Sequence, residues 1–412
     1  MRLEIPFGKD EVQTLSIPDE NLLEVIRPNQ VDSAEDLVEL EHALDHPISA
    51  PLIEDFFDKG DVLIIVNDGT RPTPTAKMLE VLSRRVRLSK ATFLVATGAH
   101  RAPTKDEMEM IFGRFLSSLQ GSIHIHDCRL SPTYHLVTSR EGTEIRVNEL
   151  VKEHDRILIM TSVEPHYFAG YTGGRKSILP GVCAYATIEQ NHRLALRPQA
   201  KSLVLQGNPV HEDMMDCLNA LQDKTILGLQ AVLDRHHSIY RAAFGEVNAS
   251  FARAVQWADD VFVVKAKAKA DIVISIASYP MDVDLYQSQK AMENASNILK
   301  DGGALILVSK CRQGIGEERF YHLLSKAIDA DHLRSKVETE YCLGDHKAVK
   351  MADMGKRARI CAVTSLADDA LRRIRLEPFH SVQEALDDAL SRNGEARVTV
   401  IFDGSVVVPR AV

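Results

Sequence analysis

DVLIIVNDGTRPTP, residues 61–74, decides the fold. Val62 to Val66 run without a polar interruption, and a strand that does not alternate is buried on both faces, as in a parallel sheet covered by helices. The same kind of run recurs as ATFLVATG (91–98), RILIMTS (156–162), DIVISIAS (271–278), GGALILVS (302–309) and RVTVIFD (397–403). Helix-like stretches separate them: TPTAKMLEVLSRRV (73–86) follows the first run, and YQSQKAMENASNILK (286–300) joins the fourth to the fifth. Strand, helix, strand is the grammar of an α/β protein. At VFVVKAKAKADIVI (261–274) a strand-like run passes through alternating Lys and Ala into a fresh buried strand. This predicts two α/β, Rossmann-like domains with mostly parallel sheets, residues 1–266 and 267–412, with GSVVVPRAV (404–412) free to pack back on the first domain.

The 412 residues are 45% hydrophobic and 26% charged, enough for two cores of ordinary size. Net charge is −9 and the Lys and Arg residues are scattered, which argues against nucleic acid as a partner. Six cysteines lie far apart with no C-x-x-C pair, the pattern of a reduced, cytoplasmic protein. No apolar stretch is long enough for a membrane span or a signal peptide.

The unusual polar residues follow strand ends. Asp68-Gly-Thr-Arg71 follows the first run, Gly98-Ala-His100-Arg101 the second, Val-Glu164-Pro-His166 the third, and a segment from Tyr279 through Gln287 to Lys290 the fourth. Open α/β sheets bind ligands beyond the carboxyl ends of their strands, so clusters from both domains predict an active-site cleft between them. Arg71 suits two-pronged recognition of a carboxylate, although Thr and Pro around it also fit a plain turn and helix start. In HYFAGYTGGRKSILPG (166–181), Gly173 and Gly174 offer permissive backbone beside Arg175 and Lys176, as anion-cradling loops do, but the spacing is not that of a P-loop. A Lys beside an Arg has reason to lose its proton and act as a nucleophile or anchor. His166 and His192 flank it, and histidine is both the usual proton-transfer group and a common metal ligand. His124 and His126 read as a solvated strand face, and Gly344-Asp-His346 as either loop or pocket lining.

In series, D-x-T-R-P-x-P, G-x-H-R, P-H-x-x-A-G-x-T-G-G-R-K-x-x-x-P-G, N-H and Y-P-x-D-x-x-x-Y-Q-x-x-K resemble the nickel-pincer lactate racemase family of 2-hydroxyacid racemases and epimerases over residues 60–300. The resemblance implies an isomerase holding a nickel-pincer nucleotide (pyridinium-3-thioamide-5-thiocarboxylic acid mononucleotide with Ni(II)) tethered to Lys176, with His192 as a nickel ligand. It implies that Gly173, Gly174 and Arg175 approach the nucleotide phosphate and that Asp68 contacts the cofactor. His100 and His166 become the two acid/base histidines, and Arg71, Gln287 and Lys290 the substrate-binding residues. The implied reaction inverts C2 of a small-molecule 2-hydroxy acid by hydride transfer to and from the cofactor, and cofactor-biosynthesis proteins are implied partners.

One departure concerns substrate. Lactate-specific relatives carry a tryptophan in the C-terminal domain near the pocket, whereas the one tryptophan here is Trp257, and Asp345-His-Lys-Ala-Val-Lys350 is polar. A larger or more polar hydroxyacid than lactate fits this difference. The alternatives are a nicotinamide-dependent hydroxyacid dehydrogenase, which lacks its G-x-G-x-x-G here, and a two-domain small-anion binding protein, which leaves the histidines and Lys176 without a joint purpose.

Overall fold

The structure, a computed structural model, describes residues 1–411. It opens on an antiparallel hairpin of β1 (Arg2–Phe7) and β2 (Glu11–Ser16), followed by β3 (Leu22–Ile26). The chain then builds one compact unit from residues 30–261; residues 1–29 and 262–412 form the other.

In the 30–261 unit, β4 (Val62–Asn67), β5 (Ala91–Ala96) and β6 (Ile123–Ile125) are laid side by side in chain order. A small antiparallel pair, β7 (Thr133–Thr138) with β8 (Glu144–Asn148), precedes β9 (Arg156–Ser162), which returns to the other side of β4. The short pair β10 (Pro165–His166) and β11 (Gly170–Tyr171) follows, and then β12 (Thr225–Leu233) and β13 (Ile239–Glu246) extend the sheet. The order is β13-β12-β9-β4-β5-β6, parallel except for β13. Leu63, Ile64, Ile65 and Val66 of β4 are all buried, as their unbroken apolar run predicts. Helix Thr75–Arg85 contributes Met78, Leu79, Val81 and Leu82 to the core against Phe93 and Phe112.

The other unit begins at β14 (Val263–Ala266) and β15 (Ala270–Ile276), continues through β16 (Leu299–Val308), β17 (Arg359–Val363), β18 (Glu377–Phe379) and β19 (Val398–Ile401), and ends on β20 (Val408–Ala411). Its sheet, β18-β17-β16-β15-β19-β3, is parallel throughout. Two features depart from a linear reading of the chain. Residues 1–29, grouped by sequence order with the first domain, belong to this unit, because β3 adds the edge strand beside β19 and Leu3, Ile5, Leu15 and Ile17 of the hairpin join its core. The break falls at 261/262 within helix Val247–Phe262, and β20 pairs in parallel with β14 inside the same unit. None of the six cysteines forms a disulfide, and no helix among the described residues is long and apolar enough to cross a membrane.

Candidate active site

Chain order reverses between β4 and β9, and such a switch point leaves a crevice beyond the strand ends. The segments leaving β4, β5 and β9 carry the residues singled out in the sequence. Leaving β4, Asp68 is buried; its Oδ2 accepts from His100 Nδ1 at 2.7 Å, and its Oδ1 accepts from Thr70 Oγ1 at 2.6 Å. Burial alone would raise the Asp68 carboxyl, but the bonds from His100 and Thr70 outweigh it and hold its pKa below the usual value. A carboxylate on Nδ1 fixes the His100 tautomer and leaves Nε2 to accept a proton. Asp68, expected from the resemblance to contact the cofactor, is hydrogen-bonded to His100 in the structure.

Arg71 Nη1 donates to Glu164 Oε1 at 2.9 Å across the switch point, and Thr73 Oγ1 lies 2.9 Å from Ser162 Oγ in the same seam. Glu164 is itself positioned by its backbone N–H donating to Thr172 Oγ1 at 2.9 Å. His166 sits in the β10–β11 hairpin, where its Nδ1 accepts from Ala169 N at 3.3 Å. Phe168, buried in that hairpin loop, gathers three of the expected residues around one ring: His166 at 4.5 Å and His192 at 5.0 Å between centroids, and Lys176 Nζ at 5.6 Å from the centroid.

Burial lowers the pKa of both Lys176 and His192. Burial, then the cations Arg71 and Arg175, hold the Lys176 ammonium pKa well below its usual value, against an opposing pull from Glu164. Burial, then Lys176, push the His192 imidazole down to about 3; His100 adds to this and the Ile188 carbonyl opposes it. The effects of Arg71 on Lys176 and of His100 on His192 link the His100 side of the site to the Phe168 side.

Arg175, Gly173 and Gly174 are placed otherwise than a phosphate cradle requires. Arg175 is 1% exposed, and it donates to His211 Nδ1 (2.8 Å) and the carbonyls of Ala169 (2.9 Å), Tyr171 (3.1 Å) and Gly173 (3.3 Å), with its guanidinium 4.3 Å from the Phe251 ring centre. Gly173 (φ +87°) and Gly174 (φ +50°) need left-handed backbone, and a Cβ would lie 2.5 Å from Val163 Cγ2 at the first and 3.2 Å from Phe251 at the second. Gly174 N–H already donates to Gln230 Oε1 at 3.1 Å. The paired glycines and Arg175 therefore build a packed turn that aims Lys176, rather than an open anion loop. Gln287 and Lys290 lie in the other unit on helix Leu285–Ala295, whose first turn is capped by Asp284 Oδ1 accepting from Gln287 N at 2.6 Å.

Several contributors escape sequence reasoning. Phe168 reads as one more apolar residue; Gln230 was detectable as an amide inside the buried run TILGLQAVL, and it joins β12 to the Gly173–Gly174 turn. His126, expected on a solvated face, lies just beyond β6 and is buried, its Nε2 2.9 Å from Cys183 O and its Nδ1 3.1 Å from Asn148 Nδ2. His346 is buried at the start of helix His346–Arg357.

A parallel α/β unit that gathers a carboxylate-held histidine, a second histidine, a buried lysine of lowered pKa and a neutral imidazole at its switch point has the equipment of an acid–base enzyme. Models of the lactate racemase N-terminal domain and the lactate racemase C-terminal domain match residues 7–203 and 264–408. The lactate racemase of Thermoanaerobacterium thermosaccharolyticum is 30% identical over 99% of this chain and 99% of its own, and that of Lactiplantibacillus plantarum is 30% identical over 98% and 99%. The solved lactate racemase apoprotein from T. thermosaccharolyticum superposes with a TM-score of 0.91 at 29% identity, covering 100% of both chains. A Thermotoga maritima protein, 16% identical with a TM-score of 0.63 over 93% of this chain and 100% of its own, shares the fold. The chain belongs to the lactate racemase family and is an isomerase.

Proposed function

We propose that this protein inverts C2 of a 2-hydroxy acid, using a nickel-pincer nucleotide joined to Lys176 and ligated through nickel by His192. The observation that carries the reading is the meeting of a fully buried Lys176 amine, its pKa lowered by that burial, and a neutral His192 imidazole on one aromatic ring, beside a carboxylate-held His100. An amine must be unprotonated to form an amide-type bond, and an imidazole must be neutral to bind a metal. Among the described residues no group of three or more His, Cys, Asp or Glu could hold a metal ion, so nickel at His192 needs donors that the cofactor brings. Arg175, buried on its own loop's carbonyls, and Gly174, whose N–H donates to Gln230, do not fit a phosphate contact. Their part is to fix the exit of Lys176.

When bound, the cofactor supplies a hydride acceptor for C2, whose C–H is too weakly acidic for histidine alone. The chain supplies proton transfer and orientation. His100, its Nδ1 engaged by Asp68, takes the substrate hydroxyl proton at Nε2 for one enantiomer, and His166 does so for the other. Arg71, braced by Glu164, orients the carboxylate. Gln287 and Lys290 are proposed carboxylate contacts on the strength of the motif they share with the family, and proteins that make and attach the cofactor are proposed partners. The lack of a tryptophan in residues 262–412 favours a hydroxyacid larger or more polar than lactate.

The test is the mass of protein produced in cells that make the cofactor, with peptide mapping around Lys176. A nickel-bearing pyridinium nucleotide on Lys176, absent from Lys176→Ala, is expected; an unmodified Lys176 from such cells would overturn the tether. A screen of hydroxyacids with the loaded protein then identifies the substrate.

A further inference from the structure

His192 lies on helix Tyr185–Arg193, and the adjoining face of that helix is fastened by several side-chain bonds. Residues 187 and 191 share one face, while 188 and 192 share the next, rotated by about 100°. On the first face, Thr187 Oγ1 donates to Glu144 O at 2.6 Å and accepts from Arg146 N at 3.0 Å, tying the helix to β8. Gln190 Oε1 accepts from Glu144 N at 2.8 Å. Asn191, fully buried, donates through Nδ2 to Asp213 Oδ2 at 2.8 Å on helix Pro209–Asn219.

Asp213 is also fully buried, and no cation pairs with it among the described residues; Ser139 Oγ donates to its Oδ1, and Ser139 Oγ in turn accepts from Thr143 N at 3.1 Å. A buried carboxylate held by neutral donors is costly, and its bonds are correspondingly directional. Together with the Thr187 and Gln190 bonds to β8, the Asn191–Asp213 bond therefore holds the rotation of the helix about its own axis. That rotation sets where the neighbouring His192 ring points. Metal sites tolerate errors of only about 0.5 Å and 10–20° in their ligands.

We propose that Asn191, locked by Asp213, is a positioning residue for His192: it holds the helix in the rotation at which the imidazole reaches nickel. The inference rests on the nickel reading of His192, and the experiment separates the two. Wild type, Asn191→Ala, Asp213→Asn, the exchanged pair Asn191→Asp with Asp213→Asn, and His192→Ala are each produced in cofactor-making cells. Adduct on Lys176, nickel per adduct and melting temperature are measured for each.

Asn191→Ala and Asp213→Asn are expected to keep the adduct but lose nickel per adduct by about 10-fold or more, the usual cost of removing a group that orients a metal ligand. The exchanged pair, which rebuilds the bond with donor and acceptor reversed, should restore nickel. Unchanged nickel per adduct in Asn191→Ala would overturn the proposal. So would a loss of adduct, nickel and melting temperature together that the exchanged pair fails to repair, because that marks a purely structural bond. Full nickel in His192→Ala, or no adduct in the wild type, would instead overturn the underlying reading, and the positioning role with it.

Discussion

His100 and His166 are held by partners of different kinds, a buried carboxylate for one and a backbone amide for the other, so they are not interchangeable bases. Asp68→Asn removes the charge that orients His100 and is expected to lower kcat by about 10²-fold, with a much smaller change in KM and with the two directions affected unequally; equal kinetics to wild type would exclude the pairing from the reaction. Buried histidines also set the response to acid. Burial, reinforced by Arg175, pushes His211 down to about 3, and burial lowers His126 against the pull of the Cys183 carbonyl and Asp127. Below the ordinary histidine pKa of about 6.5 the unfolded chain takes up these protons while the folded chain does not. The unfolded state then binds more protons, so stability falls as pH drops from that value toward about 3 for His211. Melting temperatures measured from pH 7 downward should decline, and His211→Gln, which keeps an acceptor for Arg175 but cannot titrate, should decline less steeply. At this scale the sequence could single out His100, His166, Lys176 and His192 by type and position, but could not distinguish Asp68 as a partner of His100 from Asp68 as a cofactor contact. Both roles want the same residue at the same strand end.

The turn that precedes Lys176 behaves as a packed element. Gly173→Ala would require an L-residue at φ +87° with its Cβ 2.5 Å from Val163 Cγ2. The left-handed backbone alone costs about 1–2 kcal/mol, and the contact adds to it, so a clearly lowered melting temperature and reduced adduct at Lys176 are expected; a neutral substitution would show that the turn can relax. The strands were legible because a run such as Val62–Val66 has only one way to hide both faces. β9 runs over the expected 156–162, and β4 lies within 61–68. By contrast β12 and β13, with Gly228, Gln230 and Gly245 in their midst, carry no such run. Their strand character comes from the neighbours they pair with, and in β12 the glycine makes room for the Gln230 side chain that ties the sheet to the turn.

Across the whole molecule, the N-terminal 29 residues complete a unit whose remainder begins more than 230 positions later. Leu3, Ile5, Leu15 and Ile17 bury against Ile272, Val398 and Leu386, and Gln13 Oε1 accepts from Val382 N at 2.8 Å. Each such side chain is worth about 1.5–3 kcal/mol when fully buried. A fragment of residues 262–412 alone should therefore lack a cooperative thermal transition, and joining residues 1–29 to it through a flexible linker should restore one; cooperative unfolding without them would show the hairpin to be dispensable. The sequence by itself determined the α/β class, the parallel strands and the order of the chemical residues along the chain, because hydrophobic patterning and strand-end placement are local properties. Only the tertiary structure decided that the N-terminus closes the C-terminal sheet, that Arg175 is buried in its own loop, and that Phe168 gathers Lys176, His166 and His192. Those outcomes depend on which distant surfaces meet, and a linear pattern of residue types does not encode that meeting at any single position.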